Sequence, residues 1–287
     1  MAEEGNNRSA ECPAFPAWPE LGKRFVFAPG LAPALRDALR DAEPLLRSAR
    51  PVKVSGSTTA GVAAVDGVSY FVKRSNVPTL LDRVRRIGRL SRAKRNYLAS
   101  ERLAALGIRV PKVLMALTTT WHGLPGPSYL VTEFLERPMT VHHNFPAMLE
   151  RKDLEYWVRK MASLMALMHR DGICHGDLKM VNFLAVAAPE EADGFTLGLL
   201  DFDGTKLTGR PLSRRARRKE LARAVSSCFL RLVKLESCTV PELGTLLRNW
   251  CDAYCEAGGT DLRGDRKLAK LVRAFLKRAE RRGKGLS

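Results

Sequence analysis

The chain has 287 residues, 45% apolar and 27% charged, which excludes a mostly disordered polypeptide and fits one large domain or two lobes. Its 48 Lys and Arg against 30 Asp and Glu leave a net charge of +18. That field favours acidic partners such as nucleic acid, anionic headgroups and phosphorylated or carboxylated substrates, without choosing among them. No stretch reaches about 18 uncharged apolar residues, so no transmembrane helix is expected.

Residues 1–22, rich in Pro, Glu and Asn, read as a flexible tail. They carry acids and no apolar run, which is no signal peptide, and the protein is expected on the cytoplasmic side of any membrane it meets. Leu31, Leu35, Leu39 and Leu46 have helical spacing over 31–48, with Pro44 threatening continuity. Residues 52–74, rich in Val, Gly, Ser and Thr, read as strands joined by tight turns, with Asp66-Gly67 as a hairpin signal. A very basic helix is predicted over 79–106, carrying Arg83, Arg85, Arg86, Arg89, Arg92, Lys94 and Arg95 and closed by Gly107. "KVLMALTTTW" and "SYLVTEFL" are strand-like, with "HGLPGP" as the turn between them.

From residue 152 the pattern is mostly helical. "LEYWVRKMASLMALMHRDG" ends at Gly172, and its methionines at 161, 165 and 168 are spaced as a packed face. "FLAVAA" and "FTLGLLDFD" read as two short strands, and 213–235, 241–257 and 265–282 as three further helices. Strands in the first half and helices in the second predict an α+β protein of two lobes: an N-lobe over 23–135 and a helical C-lobe over 136–287.

Two stretches carry chemistry, "HGDLKMVNF" at 175–183 and "GLLDFDGTK" at 198–206. Phosphoryl transfer from ATP needs positioning and charge neutralisation more than covalent chemistry. Asp177 is placed to accept the acceptor's proton, and Lys179 to reach the γ-phosphate. Asn182 and Asp201 offer an amide and a carboxylate oxygen for Mg²⁺. Lys73 closes the apolar run "YFVK", as suits a strand lysine on the α- and β-phosphates. The turn "SGSTTAG" at 55–61, with Gly56, Ser57 and Gly61, lies where backbone N–H groups must approach phosphate. "VTEFL" at 131–135 supplies a hinge whose backbone at Glu133–Leu135 is available to adenine. His175 reads as a holder of the loop backbone, since Asp177 already fills the base role. Asp203 either touches the metal or caps the next turn.

The order Lys73, "HGDLKMVN", "LLDFD" resembles the protein-kinase-like superfamily. More narrowly, the chain is similar to the lipopolysaccharide kinase family, on "SRAKRNYLASERLAALGIRVPKVL" at 91–114, "LMHRDGICHGDLKMVNFL" at 167–184, "LLDFDGTKL" at 199–207 and the basic helix "RRARRKELARAVSSC" that follows. The resemblance implies a bilobal kinase fold, with a small β-rich N-lobe and a larger helical C-lobe. It implies ATP and Mg²⁺ as cofactors, and transfer to a Kdo or heptose hydroxyl of the lipopolysaccharide inner core. Two positions depart from the kinase pattern. Asn96 stands where a helix glutamate would pair with Lys73, with Glu101 as the nearest alternative about 140° away around the helix. Gly176 stands where many protein kinases carry the Arg that reads a phosphorylated activation loop, and no such segment follows Asp203; "VPE" at 240–242 is a distant candidate. Both points favour a small-molecule or glycolipid acceptor.

The catalytic loop is shared by protein kinases and aminoglycoside-type phosphotransferases, which remain alternative acceptor classes. Outside enzymes, a pseudokinase or a nucleic-acid-binding module remains, although nucleic acid is not expected as a partner because no recognition motif or stacking platform is present. The basic runs 83–95 and 214–219 read either as solvated faces or as contacts with an anionic inner-membrane surface bearing a lipid-linked acidic sugar. His169 reads as a packed helix-end residue and His142-His143 as a solvated pair. The six cysteines, with Cys251 and Cys255 four apart, read as reduced thiols.

Overall fold

The structure, a computed structural model, describes residues 17–18, 23–135, 140–188, 191, 194–235 and 241–281. The chain divides into two compact units, 1–136 and 137–287. Most of the expected tail lies outside the described residues, as do Cys12, Cys238 and Val240 of "VPE".

The first unit is built on a seven-stranded antiparallel sheet in the order β1-β2-β6-β7-β5-β4-β3. Its strands are β1 (Ala17–Trp18), β2 (Lys23–Phe27), β3 (Arg50–Ser55), β4 (Thr58–Val65), β5 (Val68–Ser75), β6 (Val113–Trp121) and β7 (Leu124–Glu133). Asp66 and Gly67 both adopt positive φ, as a two-residue hairpin turn with the native twist requires. His122 and Gly123 do the same between β6 and β7. The predicted turn at 122–127 is therefore narrower than expected, and Pro125 to Pro127 belong to β7.

Two predicted helices are divided. The 31–48 helix breaks into α1 (Pro33–Arg40) and α2 (Ala42–Ser48) around Asp41. The break lies one turn ahead of Pro44, whose ring would collide with the carbonyl four residues earlier in a continuous helix. The 79–106 helix becomes α3 (Leu80–Val84) and α4 (Arg92–Ala105). Gly88, at φ +70° in the left-handed region, ends the turns that follow the first piece. The Ser91 hydroxyl then accepts the Lys94 N–H and starts the second.

Both faces of the sheet are covered. Phe25, Leu117 and Val131 pack with Leu39, Ala42 and Leu46 of α1 and α2 on one side. Val26, Ala116 and Leu130 pack with Ala93 and Tyr97 of α4 on the other.

In the second unit, α5 (Val141–Arg151) and α6 (Leu154–Arg170) precede the short strand β8 (Ile173–Cys174). Met161, Met165 and Met168 are fully buried, and His169 is packed at the end of α6, as expected. The pair β9 (Phe183–Ala187) and β10 (Phe195–Leu199) follows, then β11 (Lys206–Leu207), which pairs back with β8. The helices α7 (Arg214–Val233), α8 (Leu243–Glu256) and α9 (Arg266–Glu280) complete the unit. Among the described residues no helix is long and apolar enough to cross a membrane.

Candidate active site

The loop between β8 and β9 is held by local bonds that its sequence spacing makes possible. The Asn182 side-chain amide donates to the Asp177 carbonyl at 2.8 Å, closing the five-residue span. The Leu200 N–H donates to the Asn182 carbonyl at 2.9 Å, which brings the strand end carrying Asp201 beside Asn182. Strand β10 stops at Leu199, four residues sooner than "FTLGLLDFD" suggested, and Asp201 adopts a left-handed backbone (φ 62°, ψ 75°). Asp203 falls in the 3₁₀ turn at 202–204.

His175 is fully buried and acts as the loop's internal brace. A carbonyl can only accept, so its Nε2 carries the proton given to the Leu200 carbonyl at 2.9 Å. Its Nδ1 then faces the Asp177 N–H at 3.4 Å. Burial holds this imidazole below its ordinary range, so it stays neutral, a brace and not a base. Gly176 has φ +87°, and a Cβ there would lie 2.5 Å from the Gly204 carbonyl oxygen. An arginine at this position has no room.

The Asp177 carboxylate sits between two cations. Lys179 Nζ lies 2.9 Å away, and the Arg223 guanidinium binds Oδ1 while also donating to the Gly176 carbonyl at 2.9 Å. Held from both sides, the carboxylate has a fixed orientation, which suits a transfer whose loose transition state needs the acceptor hydroxyl positioned.

Sequence reading missed the support supplied by α7. Glu220, 2% exposed, accepts the His175 N–H at 2.8 Å and the Gly176 N–H at 3.1 and 3.2 Å. Burial pushes its carboxyl above the usual range, against the opposing pull of those N–H groups and Arg223. Ser227 takes the Met180 N–H at 3.0 Å. Glu220, Arg223 and Ser227 recur at i, i+3 and i+7 and so share one helix face. The available signal was a lone carboxylate followed by the apolar run Leu221, Ala222, Ala224 and Val225, all buried.

The two residues expected to hold metal carry a carboxylate and an amide oxygen, the hard donors that Mg²⁺ takes. Asp201 is exposed, and Asn182 donates through its amide nitrogen. Among the described residues no group of three or more His, Cys, Asp or Glu gathers, so a divalent ion here would lean on phosphate and water oxygens, as Mg²⁺ does.

The first unit carries the remaining candidates. Lys73 in β5 pairs with Leu130, whose side chain packs toward α4, so Lys73 projects to that same face. The buried polar positions of α4 are Asn96 and Ser100, and Glu101 is not among the helix's buried residues. Gly56 and Ser57 form the exposed tip of the β3–β4 hairpin. Gly61 instead sits within β4, where a Cβ would lie 2.8 Å from both Ala49 Cβ and the Arg50 carbonyl oxygen. Its lack of a side chain is explained by that chain passage. At the hinge the Glu133 N–H is bonded to the Lys112 carbonyl at 3.0 Å, and its own carbonyl accepts the Thr132 hydroxyl at 3.0 Å.

The second basic run differs from the expected cationic face. Arg217 is buried, bonding Leu212 O and Tyr254 OH, while Arg214 and Arg218 both reach Asp265. Residues 204–213, between Asp203 and α7, are pinned by Thr208 to Gly172 and by Leu212 to His169, which leaves no long activation segment.

The fold is similar to the solved structure of WaaP in complex with acyl carrier protein, at a TM-score of 0.63 and 21% identity over 90% of this chain and 98% of that one. A more distant likeness is the Rio2 kinase-ADP/Mg²⁺-phosphoaspartate complex from Chaetomium thermophilum, at a TM-score of 0.46 and 14% identity over 87% and 75%. A search of curated protein sequences finds no match. The model of the lipopolysaccharide kinase (Kdo/WaaP) family matches residues 40–240, which include the whole catalytic loop and its α7 support. The chain belongs to that family and is a phosphotransferase that uses an alcohol acceptor.

Proposed function

We propose that this protein transfers the γ-phosphate of ATP to a Kdo or heptose hydroxyl of a lipid-linked lipopolysaccharide core, at the inner face of the cytoplasmic membrane. The observation that carries the reading is the Asp177 carboxylate, bound by Lys179 and Arg223 in a loop whose backbone is fixed by Glu220. In this scheme Asp177 orients the sugar hydroxyl and takes its proton as the P–O bond forms. Lys179 attracts the γ-phosphate oxygens. Asn182 and Asp201 hold Mg²⁺, which neutralises triphosphate charge when bound. Lys73 fixes the α- and β-phosphates, and the Gly56–Ser57 tip offers backbone N–H groups to phosphate. Adenine recognition falls to the backbone at Glu133 and Leu135. The Glu133 N–H is already bonded, so there the carbonyl's second lone pair takes that part.

The 204–213 segment is short and fixed, which supports a glycolipid acceptor over a phosphorylation-switched protein kinase. The likeness to a WaaP structure containing acyl carrier protein adds the proposal that a carrier protein binds this chain too. The acceptor is tested by mass spectrometry of core glycolipid from cells with wild-type protein or Asp177→Ala. The reading expects loss of one phosphate per core in the variant. Unchanged glycolipid overturns it.

A further inference from the structure

Residues 79–92 of the first unit expose an unusual combination. Leu80, Leu81, Val84, Ile87 and Leu90 are all between 47% and 61% exposed, and α3 buries no residue. From 79 to 95 seven Arg and Lys stand against one carboxylate, Asp82. The segment is nevertheless built into the fold. Thr79 caps α3 through the Asp82 N–H. Arg83 donates to the Pro125 carbonyl at 3.2 Å and Arg86 to the Asn76 carbonyl at 3.2 Å. Ser91 and Thr118 share a hydroxyl hydrogen bond of 2.7 Å. Arg85 and Arg89 stay exposed beside the apolar side chains.

A water-facing patch of large aliphatic side chains marks an interaction surface. Its composition selects the partner. Protein interfaces anchor on Trp, Tyr and Arg and make little use of Leu and Val, whereas the apolar part of this patch is Leu, Val and Ile with no aromatic residue. Aliphatic side chains interleaved with arginine match the boundary between headgroups and acyl chains, where apolar groups enter and cations meet phosphate.

We propose that residues 79–92 dock the protein on an anionic bilayer, with Leu80, Leu81, Val84, Ile87 and Leu90 entering the interface and Arg85 and Arg89 contacting lipid phosphates. The dock deepens the lipid-linked-acceptor reading and rests on it for its purpose, but its vesicle test does not depend on the acceptor.

The test is co-sedimentation with phosphatidylglycerol–phosphatidylcholine vesicles and with pure phosphatidylcholine vesicles. Wild type is expected to partition onto the anionic vesicles. Arg85→Gln with Arg89→Gln lowers partitioning about fivefold per arginine, about 25-fold together. Leu81→Ser with Ile87→Ser lowers it at least about tenfold at unchanged charge. Both double variants keep the wild-type melting temperature and the wild-type rate on delipidated, water-soluble core oligosaccharide, and lose rate only on vesicle-embedded core lipid. Wild-type partitioning by the Leu81/Ile87 variant would overturn the dock in favour of plain electrostatic adsorption. Dissociation of a dimer, or loss of an acidic protein partner without lipid, on the same substitutions would overturn it in favour of a protein interface. Vesicle binding as described without transfer to any core acceptor would leave the dock standing and sink the acceptor reading instead.

Discussion

Replacing Glu220 with Ala removes the acceptor for two backbone N–H groups directly before Asp177, the buried one of His175 and the part-buried one of Gly176. A buried donor left without a partner costs about 1–3 kcal/mol, so the pair sets a range of about 2–6 kcal/mol. Water entry and loop relaxation bring the expectation to the lower part, about 2–4 kcal/mol, a large share of a typical stability of about 5–15 kcal/mol. Glu220→Gln separates the components. Oε2 receives both N–H groups, at 2.8 and 3.2 Å, so a glutamine oxygen placed there keeps both bonds. Its amide nitrogen would then face the Gly176 N–H across 3.1 Å, donor against donor. That variant should lose about 1 kcal/mol. The assay is urea unfolding of the three proteins, with kcat measured beside it. Both variants should lower kcat, because the loop carrying Asp177 is no longer fixed, and Glu220→Ala the more. An alanine variant within about 0.5 kcal/mol of wild type and with unchanged kcat would refute the argument, since that is the range of an ordinary surface substitution.

Arg223→Ala should lower kcat by about 10- to 100-fold with little change in KM for ATP, because it releases Asp177 from its orientation, with Arg223→Lys recovering only part; steady-state kinetics at saturating Mg²⁺ check the split. Gly176→Ala should destabilise by at least about 2 kcal/mol, since positive φ and the 2.5 Å approach to the Gly204 carbonyl oxygen act together, and thermal unfolding measures it. His169 is held down to about 3 by burial and then by Arg217, so it folds neutral. Between pH 6.5 and 3 the unfolded chain binds a proton that the folded one does not, so stability falls as pH falls through that window. From pH 7 to pH 5 wild type should lose about 2 kcal/mol more than His169→Gln, which keeps a bond to the Tyr254 hydroxyl without titrating, as read from urea curves at each pH.

The parts of the site that could be read from sequence are those whose geometry is local. Asp177 and Asn182 are five apart and are joined by one side-chain bond, so their spacing carries the loop's shape. Asp201 could be placed because an apolar strand ends beside it. The α7 support could not be read in the same way. Glu220 meets His175 across 45 residues, and only tertiary packing distinguishes a structural carboxylate from a solvated one. The same limit applies to the basic runs. Arg214 and Arg218 read as surface cations until folding brings Asp265 to them. Among the elements, β2 and α5 escaped because "KRFVF" is short and "VHHNFPAMLER" carries a proline and two histidines that weaken its helical signal. The division of 79–106 turned on two local devices, a left-handed Gly88 and the Ser91 cap, which competed with a sequence rich in helix formers.

The catalytic assignment is tested most directly by following radiolabelled γ-phosphate from ATP into purified core lipid in the presence of Mg²⁺. The account predicts label in the lipid with wild type, almost none with Asp177→Asn or Asp201→Asn, and melting temperatures within a few degrees of one another for all three. Wild-type labelling by the Asp177→Asn protein would contradict it.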